Sequence, residues 1–354
     1  MGYLASFRNV ARGVLLALLI LGPVVVVLDR ADLVSELTLF ALAGAALIPL
    51  AWLIGEATDN LARHTGPGIG GFLNASFGNA PELIIAVVAL SDGLNDIVRA
   101  SLVGSVAGNL LLVLGFTLLV GRKGAIDRSS AYISLGLVGF ATLLLLIPSV
   151  PGFDGDPDRR SLAELSVPVA VVLLVVRIVV NRYALRRQRN LYALVEHEPG
   201  GWPFSAALVV LGLATVVTAL VSETLVGTLR SFAGRTQLSE FFVAVVIVAI
   251  IGNATEHGSA VLLARRGRVK LAVEIPLASS AQIAGLLIPL VALISWSFDP
   301  LALSFRPVEL VAMGVAAVLP AVALTTGRTT RRGGAILLAA YSALVVAFYL
   351  AGDR

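Results

Sequence analysis

The chain has 354 residues, of which 58% are hydrophobic and only 14% are charged. Soluble domains carry about 25% charged residues, so this composition excludes a water-soluble fold and predicts an all-α membrane protein. The lack of cysteine excludes a disulfide framework and thiolate metal ligands. Most of the basic residues lie in short loops between apolar runs, which indicates a role in membrane orientation and not in binding nucleic acid.

Eleven apolar runs have about the length of a membrane span. In chain order they cover residues 13–28, 33–57, 69–91, 97–120, 129–150, 162–181, 204–228, 237–263, 271–297, 305–325 and 334–351. The first run follows two arginines, as a signal peptide would. No small-residue cleavage site follows it, so we interpret it as a retained helix.

Basic residues alternate between the two sets of predicted loops. The N-terminus and every second connection after it hold 17 Lys and Arg, whereas the other connections hold 8. This bias predicts that the N-terminus is cytoplasmic and the C-terminus external. The outer loops are acidic, with Asp92, Asp96, Asp154, Asp156 and Asp158. We expect either a solvated surface or a weak cation-collecting one, and not an EF-hand, because Arg159 stands where that loop needs glycine.

A polar, Pro- and Gly-bearing stretch at residues 182–203 divides the chain and is interpreted as a cytoplasmic linker, with a short helix of its own. Five predicted spans precede it in residues 33–181, and five follow it in residues 204–354. Residues 1–32 form an extra N-terminal helix outside this symmetry.

The two halves share a motif. Gly78-Asn79-Ala80-Pro81-Glu82 in the third span matches Gly252-Asn253-Ala254-Thr255-Glu256 in the eighth, and a serine follows each glutamate by the same interval, at Ser105 and Ser279. An odd number of spans per repeat makes the two repeats cross the membrane in opposite directions. This inverted 5+5 repeat is typical of secondary transporters, with the substrate near the midplane.

The motif places a glutamate deep in an apolar span, where a carboxylate is costly and usually functional. Within each motif the asparagine and glutamate are three residues apart and share a helix face, on which the glycine allows close approach of another helix. Pro81 lacks an N–H and would free the carbonyl of Phe77, and the Thr255 hydroxyl has a similar effect. We therefore predict broken helices at both motifs.

These groups suit a hard cation such as Ca²⁺, which takes six to eight oxygen ligands. Two carboxylates, two amide oxygens, backbone carbonyls and water reach that number. Two close carboxylates in a medium of low dielectric also resist ionising together. Cation and protons would compete for the same oxygens, which is the condition for antiport.

Further polar residues are assigned supporting positions. Ser105 and Asn109 share one helix face, and Ser279 and Gln282 share another; each pair either orients a glutamate or links helices as polar glue. His257 follows Glu256 and is interpreted as a hydrogen-bonding or gating residue more than as a ligand. Glu56 and Glu223 lie near opposite ends of their spans. They are interpreted either as relays for protons or cations at the two mouths or as interfacial acids.

Several stretches together resemble the cation/proton exchanger family of the Ca²⁺:cation antiporter superfamily. They are G-G-F-L-N-A-S-F-G-N-A-P-E-L-I, G-N-A-T-E-H-G-S-A-V, I-G-E-A-T-D-N-L-A, G-S-V-A-G-N-L-L-L-V-L-G and S-S-A-Q-I-A. The resemblance implies a Ca²⁺/H⁺ antiporter with a ten-helix core, in which Glu82 and Glu256 bind Ca²⁺ and protons alternately. It also implies that the site is shaped by Asn79, Asn253, Ser105, Asn109, Ser279, Gln282 and His257.

The chain departs from the family pattern in two places. Pro81 stands where the family usually has threonine. The resulting Pro81-Glu82 pair is similar to the Na⁺/Ca²⁺ exchanger branch. The linker begins with arginines, where many members carry an acidic helix.

Ca²⁺/H⁺ antiport by alternating access is the resulting hypothesis, with Ca²⁺ and H⁺ as substrates and no cofactor. A Na⁺/Ca²⁺ exchanger is the alternative, followed by a passive cation channel and, last, an intramembrane enzyme. The chain's short length and lack of a long cytoplasmic tail favour a prokaryotic plasma membrane.

Overall fold

The computed structural model describes residues 13–192 and 201–353, without the side chains of residues 66–72, 74–76 and 184–192. Its regular structure is helical, and no strand occurs in the described ranges beyond one isolated bridge between Ala125 and Arg328. The helices are α1 (Gly13–Arg30), α2 (Glu36–Phe77), α3 (Ala80–Ser91), α4 (Asn95–Val120), α5 (Arg128–Ser149), α6 (Arg160–Tyr192), α7 (Phe204–Thr236), α8 (Glu240–Gly252), α9 (Ala254–Arg265), α10 (Val269–Ser297), α11 (Pro307–Ala323) and α12 (Arg331–Ala351). The predicted all-α class is confirmed.

The helices match the apolar runs in position but not always in length. By length and composition, eight described helices could cross a membrane, or nine if α8 and α9 form one bent span. Helices α3 and α11 are apolar but have only 12 and 17 residues. The eleven-span count and the orientation of the termini therefore stay predictions.

Two predicted connections are wrong because hydropathy reports solubility in lipid and not helix continuity. Residues 58–68 were expected to form a loop, yet α2 runs through them for 42 residues, about 63 Å at 1.5 Å per residue. The linker was expected to begin at residue 182 with a separate helix, yet α6 continues to Tyr192. Residues 1–12 of the N-terminal segment and 193–200 of the linker lie outside the described residues.

The helices pack into two compact units that do not coincide with the predicted halves. The first unit comprises Met1–Val88 and Leu185–Gln237, and the second comprises Ala89–Ala184 and Leu238–Arg354. Each unit takes segments from both halves of the chain.

In the first unit, α7 packs along α2, and α1 packs against both. The Thr224 hydroxyl donates a hydrogen bond to Asp29 at 2.7 Å, and the rings of Phe40 and Phe232 stack with centroids 4.1 Å apart. Part of the apolar core of this unit is formed by Ile54, Ala57, Leu61, Ala80, Ala207, Leu211 and Ala214.

The second unit contains α4–α6 and α8–α12, and three of these helices include a π-helical turn. The turns cover Gly108–Val113 in α4, Val243–Val248 in α8 and Ile283–Leu287 in α10. A π turn widens the helix locally and is frequent at functional sites.

A non-helical segment before α11 is buried in the second unit. Residues 301–305 are fully buried, so their backbone groups need partners inside the protein. The Ser166 hydroxyl accepts from the Leu303 N–H at 2.8 Å, and the Ser149 hydroxyl accepts from the Phe305 N–H at 2.9 Å. These bonds fix the irregular backbone between α10 and α11.

An arginine on α4 ties this segment to a distant loop. Arg99 is 1% exposed, and its guanidinium donates to both carboxylate oxygens of Asp158 at 2.6 and 3.1 Å, to Asp96 at 2.6 Å and to the Ala302 carbonyl at 3.0 Å. Two of the five acids expected on an outer surface are therefore partners of one buried cation, which leaves a smaller surface for collecting cations.

Replacement of Arg99 with leucine should destabilise the protein by on the order of 3 kcal/mol, because it leaves the Ala302 carbonyl and a paired carboxylate without their donor. Thermal unfolding in detergent would measure the loss. Arg160→Gln is the control, since the Arg160–Glu164 pair is 79% and 60% exposed and should contribute less than about 1 kcal/mol. Similar losses in both variants would contradict this assignment.

Helices α4 and α8 approach each other so closely that only glycine fits at one position. A Cβ atom added to Gly104 would collide with the backbone carbonyl of Val245, whereas one added to Gly108, one turn later on α4, would meet nothing within 4 Å. Close packing through glycine is a general device of membrane helices.

We expect Gly104→Ala to separate α4 from α8, and so to lower the melting temperature by several degrees and reduce the yield of folded protein. Gly108→Ala should leave both unchanged, because its side chain would enter open space. A normal melting temperature for the Gly104 variant would contradict the close approach.

Candidate functional site

Both matched motifs lie where a helix is interrupted, as predicted. Helix α2 ends at Phe77, a turn covers Gly78 and Asn79, and α3 begins at Ala80. Helix α8 ends at Gly252, Asn253 is the only residue between the helices, and the axis of α9 is bent from that of α8 by 58°. The two breaks are therefore at equivalent positions of the repeat.

The local hydrogen bonding is also equivalent. The N–H of Leu83 donates to the Asn79 carbonyl at 3.1 Å, and the N–H of His257 donates to the Asn253 carbonyl at 3.0 Å. Each glutamate lies in the first turn of the helix that follows the break. The N-terminus of a helix carries a partial positive charge, so both positions favour a carboxylate.

The second motif lies in a network of buried polar side chains within the second unit. The Asn253 side-chain N–H₂ donates to the Ser105 hydroxyl at 2.8 Å and to the Ala249 carbonyl at 2.9 Å. The Asn109 N–H₂ donates to the Asn253 Oδ1 and to the Ser279 hydroxyl, both at 3.0 Å. Both asparagines are 0% exposed. The tertiary fold thus brings together four of the predicted polar residues, from α4, α10 and the break.

A backbone carbonyl determines the direction of this network. Because the Ala249 carbonyl can only accept, the Asn253 amide must present its N–H₂ to that carbonyl and its oxygen to Asn109. Asn109 must then donate from its own N–H₂ to Asn253, so the Asn109 Oδ1 takes no part in these hydrogen bonds. That oxygen is buried and has no partner among the described residues, so it is available as a ligand.

Glu256 lies beside this network. The side chains of Ser279 and Asn109 are within hydrogen-bonding range of its carboxyl group. The residue as a whole is half-buried, but its Oε2 atom is inaccessible to solvent and has no partner in the described part of the chain. The next residue, His257, is also half-buried, and its Nε2 atom is buried without a described partner. Glu256 is thus next to hydroxyl and amide groups of α10 and α4.

The first motif belongs to the first unit. Asn79 is 1% exposed, and neither polar atom of its side chain has a hydrogen-bond partner among the residues described. Glu82 is 9% exposed and makes an interaction of its own. Pro81 is buried and Gly78 is exposed. A buried amide with both ends unsatisfied is costly, which indicates a position meant for a ligand.

The other predicted site residues take varied environments. Gly252 is buried, whereas Phe77, Thr255 and Gln282 are half-buried. The Glu56 carbonyl accepts from the Asn60 side chain at 2.7 Å, and Glu223 is exposed. Across the described residues, no group of three or more His, Asp or Glu side chains is arranged to hold a metal ion.

Sequence reasoning missed one buried acid of the second unit. Glu309 is 1% exposed, and its carboxylate accepts from the backbone N–H of Arg306 at the start of α11. The signal was present, because Pro307 at the first helical position with Glu309 two residues later is a pattern typical of a helix N-terminus. This acid caps a helix and is not near the break.

Comparison with known proteins gives consistent matches along nearly the whole chain. The family model described as sodium/calcium exchanger protein matches residues 35–184 and again residues 206–350. The Ca²⁺/H⁺ antiporter ChaA of Bacillus subtilis (strain 168) is 39% identical over 325 residues, which are 88% of this chain and 92% of that protein.

Two solved structures show the same fold. Native YfkE superimposes with a TM-score of 0.79 and 36% identity, covering 95% of this chain and 99% of that one. The sodium-calcium exchanger NCX_Mj superimposes with a TM-score of 0.58 and 19% identity, covering 88% and 98%, and this likeness concerns the fold alone. Since the family model matches well over half of its residues, the chain belongs to the sodium/calcium exchanger protein family.

Proposed function

We propose that this membrane protein exchanges Ca²⁺ for H⁺ by alternating access, with Glu82 and Glu256 binding the cation and protons in turn. The observation that carries the proposal is the position of Glu256. It lies in the first turn after a helix break, next to the buried side chains of Asn109 and Ser279, and its Oε2 atom is buried without a partner in the described residues. The matched motif supplies a second glutamate and a second buried asparagine.

The repeat organisation belongs to the same proposal. Residues 33–181 and 204–354 would form two inverted five-helix halves, joined by the linker 182–203 and preceded by the N-terminal helix 1–32. The double match of one family model, to residues 35–184 and 206–350, supports this division. The orientation with a cytoplasmic N-terminus and an external C-terminus follows from the distribution of basic residues.

The geometry supports distinct tasks within the second motif. Asn253 is a positioning residue, because its oxygen already accepts from Asn109 and its N–H₂ is used twice. Asn109 is the better candidate for an amide ligand, since its oxygen has no described partner. Ser105 and Ser279 hold the two amides in place, and His257 lines the approach.

Exchange follows from competition for the carboxylates. A carboxylate in an apolar medium is stable only when a cation or a proton neutralises it. Departure of Ca²⁺ to one side therefore favours protonation, and binding of Ca²⁺ from the other side displaces the protons. A site occupied by Ca²⁺ or by protons can switch its opening from one side of the membrane to the other. An empty site with ionised carboxylates cannot, because burying bare carboxylates is costly.

The relatives favour protons over sodium as the coupling ion. The curated relative named as a Ca²⁺/H⁺ antiporter is 39% identical, and the sodium-calcium exchanger structure is 19% identical. The bacterial relative also supports a bacterial plasma membrane as the location. Glu56 and Glu223 stay candidates for relays at the two mouths.

In inverted vesicles, an imposed pH gradient should drive uptake of ⁴⁵Ca²⁺. Glu82→Gln and Glu256→Gln should each abolish it, because a neutral amide can neither release a proton nor neutralise the cation. Glu164→Gln is the control, since this acid is 60% exposed at the start of α6.

The coupling ion is tested in the same vesicles. Uptake that ignores the pH gradient but needs a sodium gradient would contradict the proposal and favour Na⁺/Ca²⁺ exchange. Flux that cannot be driven against a Ca²⁺ gradient would instead indicate a passive channel.

Asn253→Asp should lower the rate of Ca²⁺ uptake about tenfold or more. The change keeps the shape of the side chain but removes both donors, so the Ala249 carbonyl loses a partner and faces another acceptor, at a cost of about 1–3 kcal/mol. The control is Asn181→Asp on α6, since Asn181 is only half-buried and takes no part in this network. Normal uptake by the Asn253 variant would refute the positioning role.

A further inference from the structure

An apolar groove runs between α5 and α11, both of which belong to the second unit. Its volume is about 390 Å³, which falls within the range of small-molecule sites. The lining is almost entirely apolar and consists of Tyr132, Leu135, Gly136, Gly139, Ala317, Val318, Ala321, Val322 and Thr325. Gly136 and Gly139 have no side chain and so leave space in the groove. A Cβ atom added at Gly136 would enter that space, since it would meet nothing within 4 Å.

Basic residues are concentrated at one end of this groove. The segment before α5 and the segment between α11 and α12 are joined there, since the Ile126 N–H donates to the Gly327 carbonyl at 3.1 Å and the Thr329 N–H donates to the Gly124 carbonyl at 3.0 Å. Across residues 121–132 and 324–332 the only acid is Asp127, which lies 3.6 Å from Lys270. The same two stretches contain six cationic side chains, Arg122, Lys123, Arg128, Arg328, Arg331 and Arg332.

Arg128 and Arg328 flank this end. Gly327 has a φ of +69°, and a Cβ atom there would lie 2.8 Å from Arg128 Cδ, so the arginine stem crosses the turn closely. Both arginines are exposed, and neither has an ion-pair partner among the described side chains. Thr325 adds an exposed hydroxyl group at the same end.

The length of the groove suits one leaflet of a membrane. From Arg128 to Gly139 is eleven residues of helix, about 16 Å, which is half of a hydrocarbon core about 30 Å thick. The Tyr132 hydroxyl donates to the Ala321 carbonyl at 3.0 Å and so links the two helices that line the groove, one turn from Arg128. Tyrosine is enriched at this depth, between headgroups and acyl chains.

We propose that this groove binds an anionic phospholipid, with one acyl chain between α5 and α11 and the phosphate between Arg128 and Arg328. Under the proposed orientation the basic end is cytoplasmic, where anionic lipids meet basic pockets between helices. An apolar groove alone could take any lipid, and the unpaired cations at its end select a negative headgroup.

Native mass spectrometry of the full-length protein in detergent tests this directly, with phosphatidylglycerol and phosphatidylcholine added at equal concentration. The wild-type protein should retain phosphatidylglycerol and not phosphatidylcholine. Arg128→Gln with Arg328→Gln should weaken retention roughly thirtyfold, as expected for two interfacial cations. Gly136→Leu should abolish retention by filling the groove, and Gly212→Leu on α7, where a Cβ atom also meets nothing within 4 Å, should retain it.

Any one of four results would overturn the proposal. Equal retention of both lipids, or retention unchanged in the arginine and Gly136 variants, would exclude this groove as a selective site. Displacement of phosphatidylglycerol by glycerophosphoglycerol at equal concentration would exclude the acyl chain. A change from oligomer to monomer in Gly136→Leu, with lipid retention unchanged, would assign the groove to a second copy of the chain. Melting temperatures of all variants would identify any that fail to fold. If Gly136→Leu fails to fold, lipid retention by the Arg128 and Arg328 double variant decides whether the groove is the lipid site.

Discussion

The hydrogen bond from the Asn253 side chain to the Ala249 carbonyl is the interaction on which the candidate site depends. A helix that breaks inside an apolar segment leaves backbone groups unsatisfied, and lipid offers them no partner. The Ala249 carbonyl accepts from the Asn253 backbone N–H at 3.3 Å and takes a second hydrogen bond from the Asn253 side chain. Because a carbonyl can only accept, this second bond orients the Asn253 amide. The orientation passes to Asn109, whose buried Oδ1 is left without a partner among the described residues.

The duplication gives each half of the chain one break of the same kind. A single carboxylate neutralises one positive charge, whereas Ca²⁺ carries two and needs six to eight oxygen ligands. The repeat supplies a second glutamate in the first turn of a helix and a second buried asparagine. The compact units take segments from both halves of the chain, so each half contributes helices to each unit.

Charged residues away from the breaks serve stability and the membrane boundary. Arg99 holds a loop and a buried irregular segment with one guanidinium, and Glu309 caps α11. The two stretches at the basic end of the groove between α5 and α11 contain six cationic residues and one acid, Asp127. Glu256 instead combines a buried carboxylate oxygen with amide and hydroxyl groups from α4 and α10. This is the environment proposed for cation binding, whereas the ion pairs of Arg99 organise the fold.

The sequence by itself determined the membrane class, the apolar segments, the duplicated motif and the two helix breaks, because these depend on composition, on Gly, Pro and Asn at set positions, and on the spacing of residues along one chain. It also predicted that Ser105, Asn109, Asn253 and Ser279 serve one site, and the fold joins these four residues by hydrogen bonds. Only the tertiary structure decided which of them donates and which accepts, because that depends on the Ala249 carbonyl and on distances between helices. Helix continuity through residues 58–68 and the burial of Arg99 likewise needed the fold, since hydropathy records preference for lipid and contains no information about partners distant in the chain.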